Sequence, residues 1–196
     1  MNFFYRLVRF VCRIILLLRG MRFTGREKVP VTGGMIIVAN HMSGWDVVAV
    51  ACALKRQVYF MAKEEFFTRP IIKTAFKWLR AFPVKRGAPD MKAIKRALEL
   101  LRAGEVVGIF PEGHRGKADE EQEPMSGMIF LMEKAGVPLV PARVYGTDKF
   151  MDPRSKPGIV IGAPISAEQL APAPEKKDRR ALQAREVMTR IRGLEL

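Results

Sequence analysis

From Met35 onward, short apolar runs rich in β-branched residues alternate with longer stretches of helical periodicity. Met35–Ala39 is followed by Asp46–Arg56, Val58–Ala62 by Glu64–Arg80, Phe82–Val84 by Asp90–Arg102, and Val106–Phe110 by Met125–Ala135; Leu139–Tyr145 and Ile159–Ile161 close the series. Runs this apolar fit strands buried on both faces, as in a parallel sheet covered by helices. The expected fold is therefore α/β, a single domain with a mostly parallel sheet flanked by helices. A chain of 196 residues is long enough for one such domain with a full core, and it carries no internal repeat. The domain is expected over 21–170. Residues 1–20 precede it as an amphipathic helix, and 171–196 follow as a linker, Ala171–Glu175, and a helix over roughly Arg179–Arg192. Lys117–Pro124 is acidic and expected to be a solvated loop.

The first segment is the one place where a membrane span must be weighed. Asn2, Arg6, Arg9 and Arg13 fall on one narrow helical face, and the rest of the circumference is Phe, Leu, Ile and Val. Eleven strongly apolar residues favour insertion by roughly 3–7 kcal/mol, whereas three central arginines cost about 2.5–3.5 kcal/mol each. Spanning at best breaks even. Lying in the interface, with the arginines among headgroups at about 1 kcal/mol apiece, is the better solution. The alternative is a helix packed on the protein's own core. Arg13 interrupts the apolar run and no small-residue cleavage site follows, which argues against a cleaved signal peptide.

Charge narrows the partners. With 34 Lys+Arg against 20 Asp+Glu the formal net charge is +14, so an anionic partner is expected. Over 55–102, thirteen bases against four acids are interleaved with Phe60, Phe66, Phe67, Phe76, Trp78 and Phe82. Bases mixed with large apolar residues suit a lipid headgroup interface better than a nucleic-acid groove, so an anionic membrane surface is expected and nucleic acid is not. The only cysteines, Cys12 and Cys52, sit in apolar stretches, which argues against a disulfide framework or a cysteine metal site.

Both histidines of the chain follow predicted buried strands, and in open α/β sheets the loops at the carboxyl ends of strands form the ligand crevice. His41 lies in Asn40-His41-Met42-Ser43-Gly44-Trp45-Asp46. With a helix beginning near Ser43, Asp46 occupies its first turn, where it can accept from the imidazole, fix the tautomer and stabilise the imidazolium. His41 could then act as general base on an acceptor's own hydroxyl. The competing reading is equally direct: Ser43-x-x-Asp46 is also a helix capping box. The second loop, Phe110-Pro111-Glu112-Gly113-His114-Arg115, reads either as a solvated turn or as glycine-permitted amides at Gly113 gathered with Arg115 around a phosphate. Lys85 and Arg86 end another short strand and add two cations. Gly136 to Pro141 starts a strand between two prolines and by itself signals only a turn and a sheet edge.

Taken in order, these blocks resemble the 1-acylglycerol-3-phosphate acyltransferase family of the glycerolipid acyltransferases. Asn40, His41, Ser43 and Asp46 match an Asn-His-x-Ser-x-x-Asp box, Lys85-Arg86-Gly87 a second block, Phe110 to Arg115 a Phe-Pro-Glu-Gly-x-Arg third, and Val137 to Pro141 a fourth. The resemblance covers about residues 25 to 165. It implies transfer of an acyl chain from acyl carrier protein or coenzyme A to the free hydroxyl of lysophosphatidic acid, giving phosphatidic acid. It also implies His41 as general base, Asp46 orienting it, Arg86, Glu112 and Arg115 at the glycerol phosphate, Pro141 shaping the site, and no metal or cofactor beyond the thioester co-substrate. Lys85 and nearby amides are assigned to the thioester oxyanion. The expected location is the cytoplasmic face of the inner membrane. His114 stands where the family commonly has Thr or Ser, and Asp119 to Glu123 would disfavour an anionic headgroup on that side unless the loop points into water.

Three rival functions follow from the same residues. Close relatives of the family acylate other lysophospholipids or amine-headed lipids. A non-catalytic peripheral membrane or nucleic-acid binding protein would explain the charge alone. A hydrolase with Ser43 or Cys52 as nucleophile lacks the Gly-x-Ser-x-Gly elbow.

Overall fold

The computed structural model describes residues 3–68, 73–74, 76, 79–85, 90–113, 123–170, 172 and 176–196, with side chains of the last helix from 179 onward. In chain order the elements are α1 Phe3–Leu18, β1 Arg22–Thr24, β2 Met35–Ala39, α2 Trp45–Ala53, β3 Val58–Lys63, β4 Phe82–Val84, α3 Met91–Arg102, β5 Val106–Ile109, α4 Gly127–Ala135, β6 Leu139–Tyr145, β7 Gly158–Ile161 and α5 Lys176–Arg192. The strands form one sheet in the order β1-β7-β6-β2-β5-β3-β4. The five from β6 to β4 are mutually parallel, and β7 with its parallel partner β1 runs the other way. The mostly parallel α/β domain expected from the apolar runs is the one observed.

β2 is the central strand, and every residue of Met35–Ala39 is buried. Its side chains alternate between two cores. Met35, Ile37 and Ala39 join α2 and Leu16 of α1 on one face; Ile36 and Val38 join α3, α4 and α5 on the other. From β2 the chain crosses to β3 over the α2 face, whereas from β5 it crosses back to β6 past β2 over the opposite face. The loops that leave β2 and β5 at their carboxyl ends therefore part on either side of the sheet, opening a crevice between them. Local chemistry agrees with these elements. Asp90 caps α3 by accepting from the Lys92 and Ala93 amides at 3.0 and 3.2 Å, and Gly136, at φ 65°, ends α4.

Several boundaries differ from expectation. α2 stops at Ala53, because Leu54 turns extended and Arg56 reaches back to the carbonyls of Pro30 at 3.1 Å, Gly33 at 2.6 Å and Gly104. Glu64–Phe67 forms a short 3-10 turn, and most of the rest of the helix expected to Arg80 lies outside the described residues. So do 117–122 of the acidic loop and most of 171–175. β6 is no edge: it lies between β2 and β7. Pro141 is tolerated there because its carbonyl, which accepts from Gly162 N at 2.8 Å, faces the β7 side. Its missing N–H points the same way, just where the β7 ladder, beginning at Ala142, has not yet started.

α1 is amphipathic, but it is turned the opposite way from the sequence expectation. Arg9 and Arg13 do not point outward: Arg9 donates to Leu54 O at 2.6 Å and Arg13 to Cys52 O at 3.2 Å, while Arg26 donates to Ala53 O at 2.6 Å. These are the carbonyls that end α2 and lack partners within the helix, and they carry the negative end of its dipole. Tyr5 and Leu16 complete the docked face, with the Tyr5 hydroxyl accepting from Val58 N at 3.2 Å. The opposite face presents Phe3, Leu7, Phe10, Val11, Ile14 and Leu18 outward, with Phe3 80% and Leu18 83% exposed. Among the described residues, no helix is long and apolar enough to cross a membrane.

Candidate active site

The site begins where β2 runs out. The Asn40 side chain continues the β2–β6 ladder one step by imitating a peptide: its Nδ2 donates to Val144 O at 3.0 Å and its Oδ1 accepts from Val144 N at 2.7 Å. The next residue, His41, is held by its backbone, whose N–H donates to Glu112 Oε2 at 2.8 Å across from the β5 loop. Asp46 sits in the first turn of α2, where the helix dipole favours a carboxylate, and it is fully buried. Its Oδ2 accepts from Met42 N at 2.6 Å, from Ser43 N at 2.7 Å and from His41 Nδ1 at 2.9 Å, and its Oδ1 accepts the Thr147 hydroxyl.

That arrangement dictates the tautomer. A carboxylate holding backbone donors can only accept, so Nδ1 carries the proton and the lone pair stands on Nε2. The His41 ring keeps 12% of its side-chain surface exposed. It stacks on Phe110 with centroids 4.2 Å apart, and Phe110 stacks on Phe60 at 5.9 Å. Gly108 makes this column possible, since a Cβ there would lie 2.4 Å from the Phe60 ring. The capping reading is half realised: Asp46 reaches back to Ser43 N, but Ser43 Oγ accepts from Trp45 N at 3.1 Å instead of Asp46 N. One carboxylate thus caps the start of α2 and orients the imidazole at once.

Glu112 and Gly113 belong to a tight turn after β5, in which Gly113 N donates to Phe110 O at 3.1 Å. Pro111 and Gly113 occupy the positions such a turn favours, and Gly113 takes φ 71°. Burial pushes the Glu112 carboxyl above the ordinary glutamate value. The His41 N–H and the charges of His41 and Arg192 pull it down, and Asp46 pushes it up.

The structure therefore brings His41, Asp46, Glu112 and Gly113 together at the carboxyl edge of β2 and β5. It does not bring Lys85 to them. Lys85 ends β4, the third strand from β2, roughly 14 Å away in strand spacings. Its amide donates to Asp90 at 2.9 Å and its Nζ lies 3.9 Å from Glu64, on the β4 side of the sheet. Pro141 pairs with Val38 inside the sheet, in the strand that leads to Thr147. Arg86 and Arg115, with His114, lie outside the described residues. Among the described residues, no group of three or more His, Cys, Asp or Glu side chains could hold a metal. Burial pushes the Cys52 thiol up to about 12, and Cys52 faces α1 from the far end of α2, which removes it as a nucleophile.

Sequence reasoning missed Thr147 and the two-way bond of Asn40. Thr147 carries no local motif; its place just past the carboxyl end of β6, beside β2, was the signal available.

The fold is thus an α/β sheet that carries, at its carboxyl edge, a histidine fixed by a buried aspartate beside a Pro-Glu-Gly turn. The family model described as Acyltransferase matches residues 20–145. The chain is 34% identical over 196 residues to the 1-acyl-sn-glycerol-3-phosphate acyltransferase of Bacillus subtilis (strain 168), covering 97% of this chain and 96% of that one. It is 33% identical over 139 residues to a chloroplastic 1-acyl-sn-glycerol-3-phosphate acyltransferase of Brassica napus, covering 69% of this chain and 40% of that longer protein. The crystal structure of the 1-acyl-sn-glycerophosphate (LPA) acyltransferase of Thermotoga maritima shares the fold, with a TM-score of 0.72 and 20% identity over 96% of this chain and 78% of that one. The chain belongs to the 1-acyl-sn-glycerol-3-phosphate acyltransferase family.

Removing one donor from the buried Asp46 carboxylate tests this geometry. Thr147→Val is expected to cost about 1.5–3 kcal/mol, as for hydrogen bonds to charged groups, read as a lower urea midpoint at unchanged slope. An unchanged midpoint would contradict the bond.

Proposed function

We propose that this enzyme transfers a fatty acyl group from an acyl thioester, on acyl carrier protein or coenzyme A, to the free hydroxyl of lysophosphatidic acid, giving phosphatidic acid. The observation that carries the mechanism is the Asp46 carboxylate, which fixes His41 Nδ1 as donor and leaves Nε2 to act as general base. The acceptor hydroxyl gives its proton to Nε2 as its oxygen attacks the thioester carbonyl. The tetrahedral intermediate collapses, the C–S bond breaks, and the imidazolium returns the proton to the departing thiolate, leaving a new ester and a free thiol. Asp46 stabilises the imidazolium between these steps. No metal or cofactor is assigned to this reaction. The acceptor assignment rests on the names of the relatives and on the basic loops. In that reading Glu112, Gly113, Arg115 and Arg86 surround the glycerol phosphate, and Lys85 with nearby backbone amides is the candidate for stabilising the thioester oxyanion.

The outward apolar face of α1 supports work at a membrane surface. A helix that turns Arg9 and Arg13 into the protein and its Phe, Leu and Ile residues outward has no aqueous reason for that choice, whereas a lipid interface covers such a face. Arg19 donates to Phe150 O at 3.1 and 2.6 Å, and Phe150 stacks on Trp45, next to Asp46, at 4.2 Å. The carboxyl end of α1 thus stands beside the site. The remaining positive charge suits the anionic cytoplasmic face of the inner membrane, and we assign no nucleic-acid partner.

Thiol release from an acyl thioester in the presence of lysophosphatidic acid tests the chemistry. His41→Ala is expected to lose about 10²–10⁴-fold in rate, the range of a positioned base. Full activity in that variant refutes the mechanism, and a better acceptor among other lysolipids refutes the acceptor assignment. For the membrane, the double substitution Leu7→Glu and Ile14→Glu is expected to release the protein from anionic vesicles. Because both residues are exposed, stability should stay within about 0.5 kcal/mol per substitution. Undiminished sedimentation with vesicles would overturn the α1 assignment.

A further inference from the structure

α1 ends in a clamp. After Leu18, exposed on the outward face, the chain turns at Gly20, φ 71°, and the Arg19 side chain reaches the loop that follows β6. Its Nε and Nη2 donate to Phe150 O at 3.1 and 2.6 Å, and Nη2 also donates to Asp152 O at 2.8 Å. The guanidinium lies 5.6 Å from the centroid of the Phe150 ring. One planar fork thus takes two carbonyls and an aromatic face of a single turn, a combination of contacts suited to arginine. The loop is also tied where it leaves β6. Ser155 Oγ donates to Gly146 O at 2.8 Å, and a Cβ at Gly146, whose φ is 62°, would lie 2.8 Å from that same Oγ.

The clamped loop meets the active site twice. Phe150 is buried and stacks on Trp45 at 4.2 Å, and Trp45 directly precedes Asp46 in the first turn of α2. Thr147 donates its hydroxyl to Asp46 Oδ1, whereas His41 and the two backbone amides use Oδ2. We propose that Arg19 is a positioning residue for the reaction: by fixing the loop 147–152 it sets where Asp46, and through Asp46 the His41 imidazole, stands against the acceptor hydroxyl. The proposal rests on the reading of His41 as general base and adds to the site a residue that precedes all four motif blocks. Its physical need lies in how little else holds the loop. Asp148, Lys149, Met151 and Asp152 are exposed, so burial fixes the turn only at Thr147 and Phe150. A base misplaced by about 1 Å can lose about 10²-fold in rate, so a hydroxyl and a ring that steady Asp46 are only as exact as the loop that carries them.

Kinetics and NMR of Arg19 variants test this. Arg19→Gln is expected to lower kcat for acyl transfer about 10- to 100-fold with the KM for each substrate little changed. In a Thr147→Val background the same substitution is expected to cost several-fold less, because part of the path from Arg19 to Asp46 is already cut. Arg19→Lys keeps the cation without the planar fork and is expected to recover only part of the rate; it carries the test if the glutamine variant does not fold. The His41 Nδ1 proton resonance, which reports the bond to Asp46, is expected to shift in Arg19→Gln. A clamp that serves stability alone would lower the urea midpoint of the variants and leave kcat of the folded enzyme and that resonance where they are. An unchanged kcat in the folded variants overturns the proposal, as does a loss that is equal with and without Thr147. A wild-type protein with no acyl transfer to any lysolipid would instead overturn the proposed function, and the Nδ1 resonance would then decide by itself whether Arg19 acts on the pair.

Discussion

A buried carboxylate left without partners would be among the costliest features a small domain can hold, and Asp46 is made tolerable by four donors converging on it. Two are backbone amides of the turn leaving β2, one is the imidazole of His41, and one is the hydroxyl of Thr147. Each donor comes from a segment that the sheet positions. The amides exist in that orientation because β2 ends at Ala39, and Thr147 is there because β6 runs parallel beside it. The imidazole is steadied from the other side by Phe110 and through Glu112, both from the loop after β5. The central strand and its two neighbours therefore exist, in functional terms, to satisfy one anion, and the satisfied anion leaves a single imidazole nitrogen available.

The same logic of unsatisfied groups places α1. The last carbonyls of α2 need donors, and Arg9, Arg13 and Arg26 supply them. The helix that carries Asp46 at its first turn is thus held at its last turn by the helix that turns its apolar side away from the protein. A lipid surface meeting α1 would orient α2 with it, and with α2 the His41–Asp46 pair. Tyr5 adds to the fastening through Val58 at the start of β3.

How much of this could be read in the sequence follows from where the determining forces lie. Met35–Ala39 and Val106–Ile109 were legible because burial on both faces leaves a continuous apolar run. His41 and Asp46 were legible because a helix start fixes their separation. β1, Arg22–Thr24, was not, because a three-residue strand with one apolar side chain owes its existence to β7. The orientation of α1 was not either: periodicity shows that a helix has two unlike faces and does not say which one meets the protein. Here the carbonyls of a second helix decided it. Thr147 is joined to the site only in three dimensions, 101 positions from Asp46, and no local pattern announces such a pairing.

The proposed chemistry turns on the tautomer of one ring. Only two histidines occur in the chain, so nitrogen-15 NMR of histidine-labelled protein, assigned with His41→Ala, reads His41 directly. At a pH where the ring is neutral, the account predicts a protonated Nδ1 and a bare Nε2, with that preference lost in Asp46→Asn. A neutral His41 protonated on Nε2 in the wild type would contradict it, because the nitrogen assigned to receive the acceptor's proton would already hold one.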